Sequence, residues 1–127
     1  VSAVELTPLV PPGRQIIERY APGGFRVSDV VYPGAVLVFP DRTLAWGPTD
    51  SAAVTLDSLS PVIEHGEVRI LLLGLGRRTA PVAVDLRAGL RARGIALEPM
   101  DTGAACRTFN LLVAEDRQVA AALLPPV

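Results

Sequence analysis

The residues best suited to chemistry are few, and they gather in the second half of the chain. Gly74-x-Gly76 follows an apolar run and is followed by Arg77 and Arg78. The segment Asp101-Thr102-Gly103-Ala104-Ala105-Cys106-Arg107-Thr108-Phe109-Asn110 packs an acid, two threonines, a thiol, an arginine and an amide into ten positions. A glycine pair between a strand and a helix is the beginning of a dinucleotide fingerprint, and Glu98 stands near the spacing of a ribose-binding acid. Thr79 replaces the third glycine, however, and Pro81 delays the helix. A tight strand-to-helix turn is therefore the expectation. Asp101 or Thr102 is placed to cap the following helix, because either side-chain oxygen accepts a free N–H of the first turn. The remaining free N–H groups favour an anion at that end. Gly74, Gly76, Arg77, Asp101, Thr102, Arg107 and Asn110 form the candidate ligand- or partner-binding set.

No catalytic set emerges from the other reactive side chains. Cys106 is the single cysteine, so an internal disulfide is excluded and no oxidising compartment is required. At helical spacing it shares a face with Thr102, Phe109 and Val113, which predicts a buried, inert thiol rather than a nucleophile. His65 is the only histidine, which excludes a multi-histidine metal site. No metal and no cofactor is assigned. Nothing in the spacing of Glu98, Asp101 and Glu115 requires an acid pair.

These residues need a scaffold, and the pattern supplies one. Residues 1 to 14, with Pro8, Pro11, Pro12 and Gly13, read as an irregular N-terminal arm, and residues 15 to 127 as one α/β domain. Alternating and β-branched segments at Gln15–Tyr20, Phe25–Val27, Val30–Tyr32, Ala35–Phe39 and Arg42–Trp46 predict short antiparallel strands. Ser58–His65 is a short helix ended by Gly66, and Val68–Leu73 is a strand covered on both faces, broken by Gly74. Val82, Leu86 and Leu90 mark a helix after Pro81 that stops at Gly94, and Ile95–Glu98 is the next strand. A second helix carries Ala105, Phe109, Leu112 and Val113 on one face, and Val119–Leu124 closes the chain as a strand. One strand–helix–strand crossover brings two parallel strand ends to the same sheet edge. There Gly74–Arg77 meets Pro99–Thr102, and ligands of open α/β sheets favour such a crevice.

The chain has 127 residues and a formal net charge of −1, so nothing attracts nucleic acid or an anionic membrane at long range. All twelve basic residues are arginine, which together with abundant Ala, Val, Pro and Gly suggests a GC-rich, bacterial coding sequence. Val1–Val10 lack the basic start and apolar run of a signal peptide, and Ile70–Leu73 is too short to cross a bilayer. A cytoplasmic protein without direct membrane insertion, monomeric or a small homo-oligomer, is the expectation.

Several blocks fit one further pattern. They are Ile17-x-x-Tyr20, Gly23-Gly24-Phe25-x-Val27, Gly34, Pro40, Trp46, Gly74-x-Gly76, Met100–Thr102, Ala104–Asn110 with Leu112, and Arg117-x-Val119-Ala120-Ala121-Ala122-Leu123. In this order they resemble the complex I assembly factor 3-like family, over residues from about 15 to the end. Phe109 stands where that pattern has tyrosine, and Asp116 where it has glycine. The resemblance implies a compact three-layer α/β fold with a central mixed sheet. For eukaryotic members it implies a mitochondrial role in assembling respiratory NADH dehydrogenase; for bacterial ones it implies no reaction, substrate or cofactor. The leading expectation is a non-enzymatic interaction protein whose partners are respiratory complex subunits or other proteins. The alternative is a small-molecule or anion-binding domain, conceivably an enzyme, using the crevice of Gly74, Gly76, Arg77, Asp101 and Thr102.

Overall fold

The two longest strands of the chain, Ile70–Leu75 and Val119–Leu124, pair with each other at the centre of a sheet, where both faces are covered and no alternation with polar residues is needed. The computed structural model describes residues 3–6 and 12–127. In chain order the first strands are β1 (Val4–Glu5), β2 (Ile17–Ala21), β3 (Gly24–Val27), β4 (Val30–Pro33), β5 (Val36–Val38) and β6 (Thr43–Ala45). Then come α1 (Ser60–His65), β7 (Ile70–Leu75), α2 (Val84–Arg91), β8 (Ala96–Met100), α3 (Thr102–Ala114) and β9 (Val119–Leu124). The central sheet is mixed, in the order β6-β5-β9-β7-β8, with β7 parallel to both β8 and β9. The second sheet, β1-β2-β3-β4, is antiparallel throughout.

Handedness fixes the layers. The step from β7 to β8 moves one strand outward, while the step from β8 to β9 passes back across β7. Right-handed crossovers in opposite directions place their helices on opposite faces. Accordingly Leu71, Leu73, Ala120, Ala122 and Leu124 face a core shared with Val62 of α1 and Leu86 and Leu90 of α2. Leu72, Val119, Ala121 and Leu123 face the other core, with Ala105, Cys106, Phe109 and Val113 of α3 and Ile17, Phe25 and Val27 of the second sheet. Alternation along one strand thus feeds two cores. Trp46 belongs to the first, 8% exposed, with its indole N–H donating to the Ser58 carbonyl at 2.8 Å. Phe109 is fully buried among apolar side chains, so the ring without a hydroxyl leaves no polar group to satisfy.

The expected three-layer α/β architecture is present, and four differences from the sequence expectation bear on the site. β7 is not broken at Gly74: that residue pairs with Met100 on one side and Leu123 on the other, and the strand runs to Leu75. β8 likewise continues past Glu98 to Met100. α2 begins only at Val84, after an extended stretch. Within the supposed irregular arm, Val4 and Glu5 pair with Tyr20 and Arg19 as a short strand. Pro8 and Pro11 of the arm lie outside the described residues.

Two turns rely on left-handed backbone at non-glycine residues. Ser28 (φ 45°) and Asp29 (φ 69°) form the two-residue loop between β3 and β4, where the strand twist favours such angles. At the end of α3, Asp116 has φ 59°. Its N–H donates to the Val113 carbonyl and that of Arg117 to the Leu112 carbonyl, which is a Schellman closure. Glycine is the usual residue there, and Asp, with a short polar side chain, is among the few that tolerate it.

Candidate functional site

The crevice at the carboxyl ends of β7 and β8 is where their following connections part to opposite faces, the place where open α/β sheets commonly bind ligands. Here its floor is closed by protein. Thr102, the first residue of α3, is fully buried. Its N–H donates to the Gly76 carbonyl at 2.8 Å, and its hydroxyl donates to the Leu124 carbonyl at 2.5 Å. The same hydroxyl accepts from the Gly76 N–H at 2.8 Å. One threonine therefore ties the ends of β7 and β9 to the start of α3. Gly74 is the counterpart that lets α3 approach: a Cβ there would lie 3.1 Å from the Cα of Thr102 and 2.9 Å from Cδ2 of Leu123. Gly76 turns the chain with φ 90°. The glycine pair serves packing and turn geometry, and α2 does not begin until Val84, far from where a dinucleotide phosphate would need its N-terminus.

Above this floor a cavity of about 350 Å³ opens between the two sheets. Arg77, Asp101, Tyr20, Gly103, Val4 and Pro126 contribute to its walls. Asp101 is the helix cap, its carboxylate accepting from the Ala104 N–H at 2.9 Å, which leaves Thr102 with the buried role instead. The Ala105 N–H is held by the Asp101 carbonyl at 3.0 Å. Of the first-turn donors the Gly103 N–H alone has no bond to a described residue. Gly103 is small for a reason, since a Cβ would meet the Tyr20 hydroxyl at 2.6 Å and Nη1 of Arg107 at 3.3 Å. Tyr20 thus lies across the helix start and lines the cavity together with Arg77.

The seven residues singled out from sequence separate into three groups. Gly76, Arg77 and Asp101 line the cavity, Arg107 borders it through its neighbour Gly103, and Gly74 and Thr102 lie beneath it. Asn110 is elsewhere: its side chain accepts from the Ile17 N–H at 3.0 Å and donates to the Ile17 carbonyl at 2.9 Å. It satisfies both backbone groups of β2 at the point where the β2–β3 register slips. Tyr20, Val4, Gly103 and Pro126 were not foreseen as lining residues. The only sequence signal for Tyr20 was its place in the Ile17-x-x-Tyr20 block.

Cys106 is fully buried on the inner face of α3, and burial pushes its thiol pKa far up, with Asp101 adding to the rise and Arg107 opposing it. A protonated, enclosed thiol is not a nucleophile. His65 lies at the opposite end of the sheet. Its ring stacks on Phe39 at 4.8 Å between centroids, and Nε2 sits 3.0 Å from Oδ1 of Asp41. Burial pushes the Asp41 pKa up, but the bond from His65 and the charges of His65 and Arg42 outweigh it, leaving the carboxyl below its ordinary value. Arg14 and Asp116 pair at 2.7 Å, and with His65 and Asp41 they line a second cavity of about 250 Å³. No cluster of three or more metal-ligating side chains occurs among the described residues.

A family model described as a protein of unknown function, DUF498/DUF598, matches residues 17–124. The chain belongs to that family. This DUF498 domain is 38% identical over 109 residues to an uncharacterised protein of Rhodobacter capsulatus, covering 86% of the chain and 83% of the relative. It is 37% identical over 112 residues to NADH dehydrogenase [ubiquinone] 1 alpha subcomplex assembly factor 3 of Danio rerio, covering 87% of the chain and 64% of that protein. The human protein of the same name is 33% identical over 111 residues, with 60% of its length covered. The chain thus spans less than two thirds of these animal relatives. Among solved structures, one described as an outer membrane protein from Bartonella henselae superposes with a TM-score of 0.84 at 37% identity, covering 91% of this chain and 98% of that one. A Mth938-like domain from Bordetella pertussis gives 0.80 at 27% identity, covering 96% and 92%. The resemblance read from the sequence and the fold it implied are both upheld. No helix among the described residues is long and apolar enough to cross a membrane.

Proposed function

We propose that this DUF498 domain is a non-enzymatic interaction protein that assists assembly of a respiratory NADH dehydrogenase. The observation that carries the reading is the 37% identity over 112 residues, 87% of the chain, to a protein named for that role. The geometry supports it in one respect. The polar groups that made the crevice resemble a catalytic or cofactor site are consumed internally: Thr102 by Gly76 and Leu124, Asp101 by the helix start. What lines the open space above is Tyr20, Arg77, Val4 and Pro126, suited to a partner's side chain. Cytoplasmic residence, partnership with respiratory complex subunits, and a monomer or small homo-oligomer belong to the same proposal.

The second reading, an anion or small-molecule site in that crevice, draws on one observation, the Gly103 N–H without a described partner near Arg77. Quantitative affinity capture from the native cell tests the two together. Recovery of NADH dehydrogenase subunits by the wild type, with loss on Arg77→Ala in a folded variant, supports the first reading. A metabolite that co-purifies and is lost with the same variant, without those subunits, supports the second. Capture unchanged by Arg77→Ala removes the crevice from either role.

A further inference from the structure

The outer edge of the central sheet presents a different surface. β8 is the edge strand, and α2 lies over it. The Ala96 N–H donates inward to the Arg69 carbonyl, so alternation turns the backbone groups of Leu97 and Pro99 outward. Neither is a complete template for another strand. The Leu97 carbonyl already accepts from Nη1 of Arg87 at 2.9 Å, and Pro99 has no N–H to give. Proline and a covering charge are the usual means of closing a sheet edge to strand addition.

The groups that close the edge also charge it. Arg69, Arg87 and Arg91 line one cavity of about 330 Å³ whose floor is Gly94 to Glu98. Arg87 and Arg91 are one helical turn apart on α2 and so share a face. Arg69, the residue before β7, reaches the same cavity from the sheet side. Nη1 of Arg69 is held by the Gly66 and Val68 carbonyls, and Nη1 of Arg87 by that of Leu97. Each is therefore oriented while part of its guanidinium fork stays open. None of the three pairs with a described carboxylate, and the residues outside the description contain no Asp or Glu. Glu98 is the one acid in the lining. In a chain of net charge −1 this is a segregated basic groove.

We infer that this groove docks an acidic segment of a partner protein, through side-chain carboxylates paired with Arg69, Arg87 and Arg91. Planar guanidinium forks suit carboxylates bidentately. Strand addition is ruled out by Arg87 and Pro99. A nucleic acid is disfavoured, because no aromatic side chain lines the groove to stack a base. A free dicarboxylate is disfavoured, because α2 walls one side only and the strand edge leaves the other open, whereas small-ligand sites bury most of their ligand. The inference goes beyond the crevice and stands whether or not the crevice binds anything.

The test is fluorescence anisotropy of a labelled octaglutamate peptide with the full chain at low ionic strength. Binding that weakens as salt rises is expected. Arg91→Glu, an exposed position, should weaken it by about tenfold or more, as expected for a juxtaposed like charge. Arg91→Gln guards against loss of fold at the end of α2 and should weaken it by roughly threefold or more. Arg19→Glu, exposed on β2 across the central sheet from α2, should change it less than about twofold at about 0.1 M salt, being beyond the Debye length. Absence of binding, equal loss with Arg19→Glu, or full binding by folded Arg91→Gln and Arg91→Glu overturns the inference. So does equal affinity for an oligothymidylate of the same length, or displacement of the peptide by succinate at matched carboxylate concentration, which would assign a small-ligand site.

Discussion

The two ends of the central sheet solve the same problem with opposite chemistry. At the carboxyl end of β7, three chain segments meet through neutral groups: Thr102, Gly76 and Leu124 exchange three hydrogen bonds around one buried hydroxyl and its own N–H. At the amino end, the segments meet through ionisable groups near the surface: His65 with Asp41, and Arg14 with Asp116. The first arrangement is dry and insensitive to pH or salt. The second is half open to water, with Asp41 56% and Asp116 71% exposed at the side chain, so solvent screens it. Buried hydrogen bonds are thus concentrated at the end where ligands of such folds commonly sit, and they close the floor of the crevice while leaving its upper part open.

Substitution can break this contrast in a graded way. The largest effect is expected at the buried threonine. Thr102→Val keeps the shape but strands the Gly76 N–H and the Leu124 carbonyl, and should cost about 3 kcal/mol, since each buried unpaired group costs roughly 1–3. Thermal or urea unfolding reads this directly, and a loss under about 1 kcal/mol would mean water replaces the hydroxyl. Asp101→Ala, on the same helix end but partly exposed, removes only the cap and should cost about 1 kcal/mol.

At the amino end the effects are smaller and one has the opposite sign. Asp116→Gly relieves a left-handed residue that the resemblance already expected to be glycine, while losing only an exposed ion pair. It should stabilise by roughly 0.5–1 kcal/mol. A destabilised variant would show that Arg14 holds the N-terminal segment through that pair. The smallest effect concerns pH. The folded pKa of Asp41 lies below its unfolded value. Its contribution is therefore fully present above the unfolded pKa and lost as pH falls through the folded one, that is, below about pH 4. Asp41→Asn should flatten that acid limb slightly in melts taken from pH 6 down to pH 2, through a small loss of stability near neutrality that disappears in acid.

The contrast also marks what the sequence could disclose. The resemblance supplied the three layers, and periodicity marked the strands with two covered faces, because Leu71, Leu72, Ala120 and Ala121 sit in apolar runs. It could not give the fate of Gly74. A glycine at the end of an apolar run reads as a break, and only the partner that would clash with a Cβ, Thr102 from far along the chain, reveals it as a contact point. Asn110 was misplaced for the same reason. An amide on a helix looks available until Ile17, 93 residues away, takes both of its hydrogen bonds. Arg77 and Asp101 were found because local signals, a strand end and a cap, fix their location. Tyr20 and Val4 were missed because the pairing of two sheets, not a motif, brings them to the rim.

The division of one sheet into two cores has an experimental corollary. Trp46, the single tryptophan, reports on the core beneath α1 and α2, while Cys106, the single thiol, lies in the core beneath α3. The chain carries one intrinsic optical probe and one chemical probe, each confined to one side of the same six-residue strand, β9. If both sides melt as one unit, indole emission and thiol labelling by a disulfide reagent will trace superimposable denaturant curves. If the thiol becomes reactive while the indole remains shielded, α3 and the small sheet can detach as a separate cooperative unit. The surface thereby uncovered would be the strip Val119, Ala121 and Leu123, an apolar ribbon of the kind that an assembly partner, or an aggregate, would seize.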